Sequence, residues 1–139
     1  MTGGHSPDAP AQSRLQRIAV GSHTGFDRFV LDFGTDPVPD FTVTPQDTSA
    51  FRMDPSDTLV TLDGDSGVRV VVQSTVLMPS AIIDDLRPRF PAIREVQQIG
   101  NFEAYVSYGV GVSGSSLIRV LTLTSPNRLV VDVAWPDPA

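Results

Sequence analysis

Several short segments have the residue types that chemistry needs. Gly64-Asp-Ser-Gly67 resembles the surroundings of the nucleophile in chymotrypsin-like proteases, but that serine requires a histidine base held by a carboxylate. The only histidines are His5 and His23, both in Gly- and Ser-containing stretches, and the next position is Val68 where a glycine belongs. Gly109-Val-Gly-Val-Ser-Gly114 matches the dinucleotide pattern G-x-G-x-x-G. That pattern works by placing pyrophosphate on a helix N-terminus. The residues that follow, SLIRVLTL, read as a strand, so these glycines serve a bend and turn. Asp63, Asp65 and Gly67 imitate the start of a calcium loop, yet the twelfth position is Ser74 instead of a bidentate glutamate. With no cysteine and one histidine beyond the N-terminal stretch, no zinc or iron set exists. Asp84 and Asp85 are sequence neighbours, which face different ways on a helix. The sequence therefore predicts no enzyme, no cofactor and no metal centre.

Binding chemistry is better represented. Glu103, Tyr105 and Ser107 alternate onto one side of a strand, while Val106, Tyr108 and Val110 take the other, together with Phe102. A tyrosine on an exposed sheet face can stack a sugar ring while polar neighbours bond its hydroxyls. Tyr105 and Tyr108 lie on opposite faces, so at most one of them faces the core, and the other face is either a binding surface or covered as well. Arg28 beside Asp27, and Arg128 four residues from Asp132, offer guanidiniums that match carboxylates bidentately. Those carboxylates belong either to a ligand or to the chain itself, and a structural role across the sheet is the simpler expectation for both.

These residues sit in a chain of 139 residues with a formal charge of −6 and a pI near 4.6. An acidic balance argues against nucleic acid, whose phosphates call for a basic face. No apolar run reaches the length of a membrane-spanning helix. All ten basic residues are arginine. From Asp27 to Asp65 nine aspartates meet two arginines, whereas from Ser66 to Asp132 five acids meet six arginines. Most of the clustered aspartates adjoin Pro, Gly, Ser or Thr, where such side chains make turns.

The elements that must position these groups are short strands. FDRFVLDF (26–33) sets Phe29, Leu31 and Phe33 on one face and Arg28, Val30 and Asp32 on the other. FTVTP (41–45), TLVTL (58–62), VRVVV (68–72), FEAYVSYGVGV (102–112), SLIRVLTL (116–123) and RLVVDV (128–133) follow, with IREVQQI (93–99) a further candidate. Residues 63–67 would close a hairpin between the strands at 58–62 and 68–72. SAIIDDL (80–86) alone has helical character, capped by Ser80 and stopped by Pro88. A weak echo between Phe26–Val30 and Phe102–Val106 would, as a duplication, give two related sheets facing each other. The expected fold is all-β: a sandwich of two antiparallel sheets with one short helix. Residues 1–13 read as a disordered leader or linker, 14–135 as the domain, and 136–139 as a short tail.

Taken together, Arg17-Ile-Ala-Val-Gly, the run from Gly25 to Phe33, Pro37-Val-Pro, the run from Gly100 to Val112 and the run from Arg119 to Val133 resemble the AMIN-like domain of actinobacterial envelope proteins. Ser125-Pro-Asn-Arg-Leu-Val-Val-Asp132 is also similar to the AMIN domain proper, a β-sandwich that targets amidases and secretin machinery to the cell wall. Asn101 and Ala104 stand where that pattern has Asp and Gly, and Tyr108 where Trp is common. The resemblance implies a non-enzymatic, exported module of the periplasm or cell envelope, with any lipid anchor carried by a segment outside this chain. The expected function is binding of peptidoglycan or another wall polymer. Tyr105 or Tyr108 would stack sugars beside Glu103, and Arg28 and Arg119 would answer the carboxylates of peptide stems. The alternatives are a protein–protein interaction module of an envelope complex, with the edge strand 41–45 open to augmentation, or a carrier of a small apolar ligand between the sheets.

Overall fold

The computed structural model describes residues 2–3 and 12–136. Its first strands are β1 (Thr2–Gly3), β2 (Ser13–Leu15), β3 (Arg17–His23), β4 (Phe26–Gly34), β5 (Phe41–Gln46), β6 (Ala50–Arg52) and β7 (Leu59–Thr61). There follow β8 (Ser66–Val72), β9 (Thr75–Leu77), β10 (Asp85–Leu86), β11 (Ile93–Phe102), β12 (Tyr105–Val112), β13 (Ile118–Leu123) and β14 (Asn127–Ala134). Two antiparallel sheets form the body, in the orders β1-β5-β8-β12-β11-β10 and β13-β14-β4-β3. A parallel pair, β2-β9, and a small antiparallel flap, β6-β7, complete the fold. The expected all-β architecture is the one observed.

Alternation decides the layers. Phe29, Leu31 and Phe33 of β4 and Leu129, Val131 and Val133 of β14 turn inward, where they meet Val68, Val70 and Val72 of β8 and Val106, Tyr108, Val110 and Val112 of β12. β-branched side chains dominate because they suit a pleated, half-buried surface. None of the grooves described below is lined by these inward residues. The ring of Tyr108 meets Phe29 edge-on with centroids 5.8 Å apart, and its buried hydroxyl has no hydrogen-bond partner among the described residues. Burial also pushes that phenol's pKa up. Because an unmade buried hydrogen bond costs about 1–3 kcal/mol, Tyr108→Phe should raise the unfolding free energy by about 1 kcal/mol in urea titrations.

Several expectations are corrected. The helix at 80–86 is a single 3₁₀ turn, Pro79–Ala81, after which Asp85–Leu86 join the sheet edge as β10. Its N-cap position is Met78, which makes no side-chain cap. So short a segment, with β-branched Ile82 and Ile83, cannot offset helix nucleation. Residues 63–67 close no hairpin: β7 pairs with β6, whereas β8 lies between β5 and β12. The stretch 102–112 is not one strand, since Phe102 ends β11 and Glu103-Ala104 turn the chain into β12. Phe26–Val30 is by contrast continuous strand, so the two echoing segments differ in local structure. The start of strand 41–45 is not an open edge, because Thr2–Gly3 pair with Phe41–Thr42. Most of the expected leader, and tail residues 137–139, lie outside the described residues, while Ser13 already belongs to β2.

Candidate functional site

The outer face of the six-stranded sheet carries the strongest candidate. At the tip of the β11–β12 hairpin, Phe102 and Tyr105 are direct cross-strand partners and each is 50% exposed. The two-residue turn between them has both residues in the left-handed region, Glu103 at φ 52° and Ala104 at φ 64°. Such turns match the twist of a hairpin but favour Asn and Gly, so the local backbone is strained. Strain of this kind concentrates where a loop is held for binding.

Below the aromatic pair lies a groove of about 410 Å³, whose walls include Asp54, Arg69, Glu103 and Ser107. Arg69 projects outward from the middle of β8, next to inward Val68 and Val70, with its ion-pair partner Asp54 at 3.9 Å. Its Nη2 donates to the Arg52 carbonyl at 2.8 Å and the guanidinium lies 5.9 Å from the Phe51 ring centre. A platform of two exposed rings, a positioned cation, two carboxylates and a hydroxyl thus share one concavity. Beyond the same tip, Asn101 and Ala104 border a larger groove of about 780 Å³ that adds Gln97, Gln98, Asp84 and Asp85.

Next to that larger groove, Glu95 is nearly buried and accepts from the Asp63 backbone N–H at 2.8 Å. Burial, then hydrogen bonding to Asp85, raises its carboxyl pKa. Arg87 bonds Asp85 at 2.7 Å and Arg94 bonds Asp63 at 3.3 Å. The cluster ties β10 and β11 to the segment leaving the flap.

The sequence candidates divide between two faces. Tyr105 and Glu103 sit at the hairpin groove. Tyr108 is in the core and cannot stack a ligand, since it turns inward with Val106 and Val110. Phe102, expected on the inner face, is exposed because the turn at 103–104 resets the alternation. Arg28 and Arg119 lie together on the outer face of the four-stranded sheet, across the core from Tyr105. Both grip Asp132: Arg28 bidentately at 2.7 and 3.0 Å, Arg119 through its Nη2 at 2.6 Å. Asp132 is buried, which raises its pKa, but the two arginines outweigh that and hold it below the ordinary range. The pairings expected for Arg28 with Asp27 and Arg128 with Asp132 are corrected. Arg28 takes Asp132 rather than Asp27, and Arg128 instead donates to the carbonyls of Pro126 and Thr124. Asp54 and Arg69 were missed by sequence reasoning. The one available signal was a lone charge within VRVVV, and nothing local shows which loop reaches it.

The glycines of the dinucleotide-like run have a packing role. Gly109 and Gly111 lie within β12 on its outer face, directly under the flap. A Cβ at Gly109 would sit 3.0 Å from the Phe51 ring.

A family model described as the AMIN-like domain matches residues 13–135. The chain belongs to the AMIN-like domain family. No curated protein and no solved structure matches it. AMIN-like domains are generally non-catalytic binding modules and occur in proteins of the envelope and periplasm. The matched span closes on Trp135, whose indole N–H donates to buried Asp27 at 2.9 Å. Among the described residues no helix is long and apolar enough to cross a membrane.

Proposed function

We propose that this AMIN-like domain is a non-catalytic module that binds peptidoglycan or another wall polymer at the cell envelope. The observation that carries the reading is the exposed Phe102–Tyr105 pair over the groove of about 410 Å³. Pyranose rings present apolar C–H faces that pack on aromatic faces, and their hydroxyls need the donors and acceptors that Ser107, Glu103 and Asp54 supply. Arg69 is the cation that would meet a carboxylate of the polymer. Arg28 and Arg119, on the opposite outer face, belong to a different surface. In this reading the protein is exported.

Co-sedimentation with purified sacculi is the test. The intact domain should pellet saturably, and Tyr105→Ala should weaken binding about tenfold, equivalent to about 1.4 kcal/mol, with thermal stability unchanged. Absence of co-sedimentation at every salt concentration would refute the reading.

A further inference from the structure

The outer face of the four-stranded sheet has an order that glycan binding at the hairpin does not use. The strand register lines up Arg17, Asp32 and Arg128 in one row across the sheet, and Gly21, Arg28, Asp132 and Arg119 in a second. Half-buried Ala19, Val30 and Leu121, with fully buried Val130, form an apolar row between them. Each charged row is therefore an Arg–Asp–Arg ladder. Asp32 and Arg28 are four residues apart along β4, so the ladders are about 13 Å apart at the usual rise of a strand.

The aspartates are spent. Asp132 is buried between Arg28 and Arg119, and the Asp32 side chain, only 13% exposed, pairs with Arg17 at 3.6 Å. The outermost cations stay open to solvent even while paired: the side chains of Arg17 and Arg119 are 67% and 65% exposed. Four arginines and two aspartates leave this face at +2, on a chain whose total is −6. At one end Phe26 stacks on His23, with the guanidiniums of Arg28 and Arg119 at 5.6 and 5.5 Å from its ring centre. Leu117, 67% exposed, and Ala134 flank Phe26 in a groove of about 280 Å³. Two bands of positive charge thus border an apolar strip.

We propose that this face is a second interaction surface, for a partner protein that presents an acidic–apolar–acidic pattern. A strand laid along β4 with carboxylates at i and i+4 and an apolar side chain at i+2 matches the ladders and the strip between them. The apolar row decides the class of partner, since a hydrophilic polyanion gains nothing from Val30 and Leu121, whereas an amphipathic sheet face buries them. Arg guanidiniums suit this role because they are weakly hydrated and fork-shaped toward carboxylates. The proposal is independent of the hairpin groove.

The probe is a soluble designed β-hairpin peptide with Glu-x-Val-x-Glu on one face, titrated into the whole domain by fluorescence anisotropy. A counterpart with Lys in place of Glu serves as control. The Glu hairpin should bind saturably and more weakly as salt rises, because exposed charges are screened, and the Lys hairpin should not bind. Arg17→Glu with Arg119→Glu should weaken binding at least tenfold. Arg28 still holds Asp132 in that variant, and Arg119→Gln provides a milder change should folding suffer. Tyr105→Ala should leave this affinity unchanged, which separates the result from any failure of glycan binding. Lack of saturable binding, equal binding of the Lys hairpin, or insensitivity to the arginine variants would overturn the proposal. So would tighter binding of polyphosphate or phosphatidylglycerol vesicles, which would make the face a polyanion surface.

Discussion

Asp27→Asn should cost this domain about 3 kcal/mol of stability, a large share of the roughly 5–15 kcal/mol available to a typical fold. Asp27 is fully buried on the inner side of β4. One carboxylate oxygen accepts from the Ser22 hydroxyl at 2.6 Å and the Trp135 indole N–H at 2.9 Å; the other accepts from the backbone N–H groups of Ala92 and Ile93 at 2.6 and 2.9 Å. This one side chain joins β4, β3, the start of β11 and the end of β14. An asparagine there must aim its NH₂ at donors whichever way it turns. Burial by itself would raise the Asp27 pKa, but the bonds from Ser22, Trp135, Ile93 and Ala92 outweigh it and hold the carboxyl below its usual range. Its contribution is thus complete above about pH 4, near the pKa of an unfolded aspartate. It is lost as the pH falls toward the folded-state value, because the unfolded chain then takes up the proton first. Urea midpoints followed by the fluorescence of Trp135, the only tryptophan, should fall more steeply below pH 4 in the native sequence than in Asp27→Asn. Equal slopes would show that this carboxylate is not the one that couples folding to acid.

Gly111→Ala should be comparably damaging, by about 3 kcal/mol, at the upper end of what overpacking usually costs. A Cβ at Gly111 would collide with the carbonyl oxygen of Asp63, where the chain leaving the flap crosses β12. That oxygen belongs to backbone, fixed further by the Glu95 bond to the Asp63 N–H, so it has little room to yield. Gly109→Ala should be milder, because the neighbour is the Phe51 ring, which can shift. Both variants lift Phe51 and Leu62 off the sheet and away from Ile99 of β11. The readout is urea denaturation together with proteolysis between residues 52 and 59. Wild-type stability in Gly111→Ala would disprove the close approach of Asp63 to β12.

How far the sequence reaches can be judged residue by residue. The alternation in Phe26–Phe33 assigned both faces of β4, because the period of two is local and a sandwich strand obeys it. The same rule separated Tyr105 from Tyr108 but could not choose which was outside. It also failed at Phe102, since parity does not survive a turn, and Glu-Ala is an unlikely pair for left-handed geometry. The segment 80–86 carried helical spacing without enough length, and pairing with β11 claimed its last residues. Arg28, Arg119 and Asp132 were visible as chemistry. Their mutual contact joins strands more than a hundred residues apart in sequence, which no local pattern encodes.

By itself the sequence determined the all-β class, most of the inward apolar side chains and the membership in the AMIN-like family. Each of these rests on short-range periodicity or on ordered runs of residues. The tertiary structure decided which strands became neighbours, and through that the hairpin groove with Arg69 and Asp54, the flap over Gly109 and Gly111, and the two arginine ladders. Strand pairing is chosen by the burial of whole faces at once. The groups it brings together at the surface are therefore fixed by the cooperative packing of the core beneath them, not by their own neighbours in the chain.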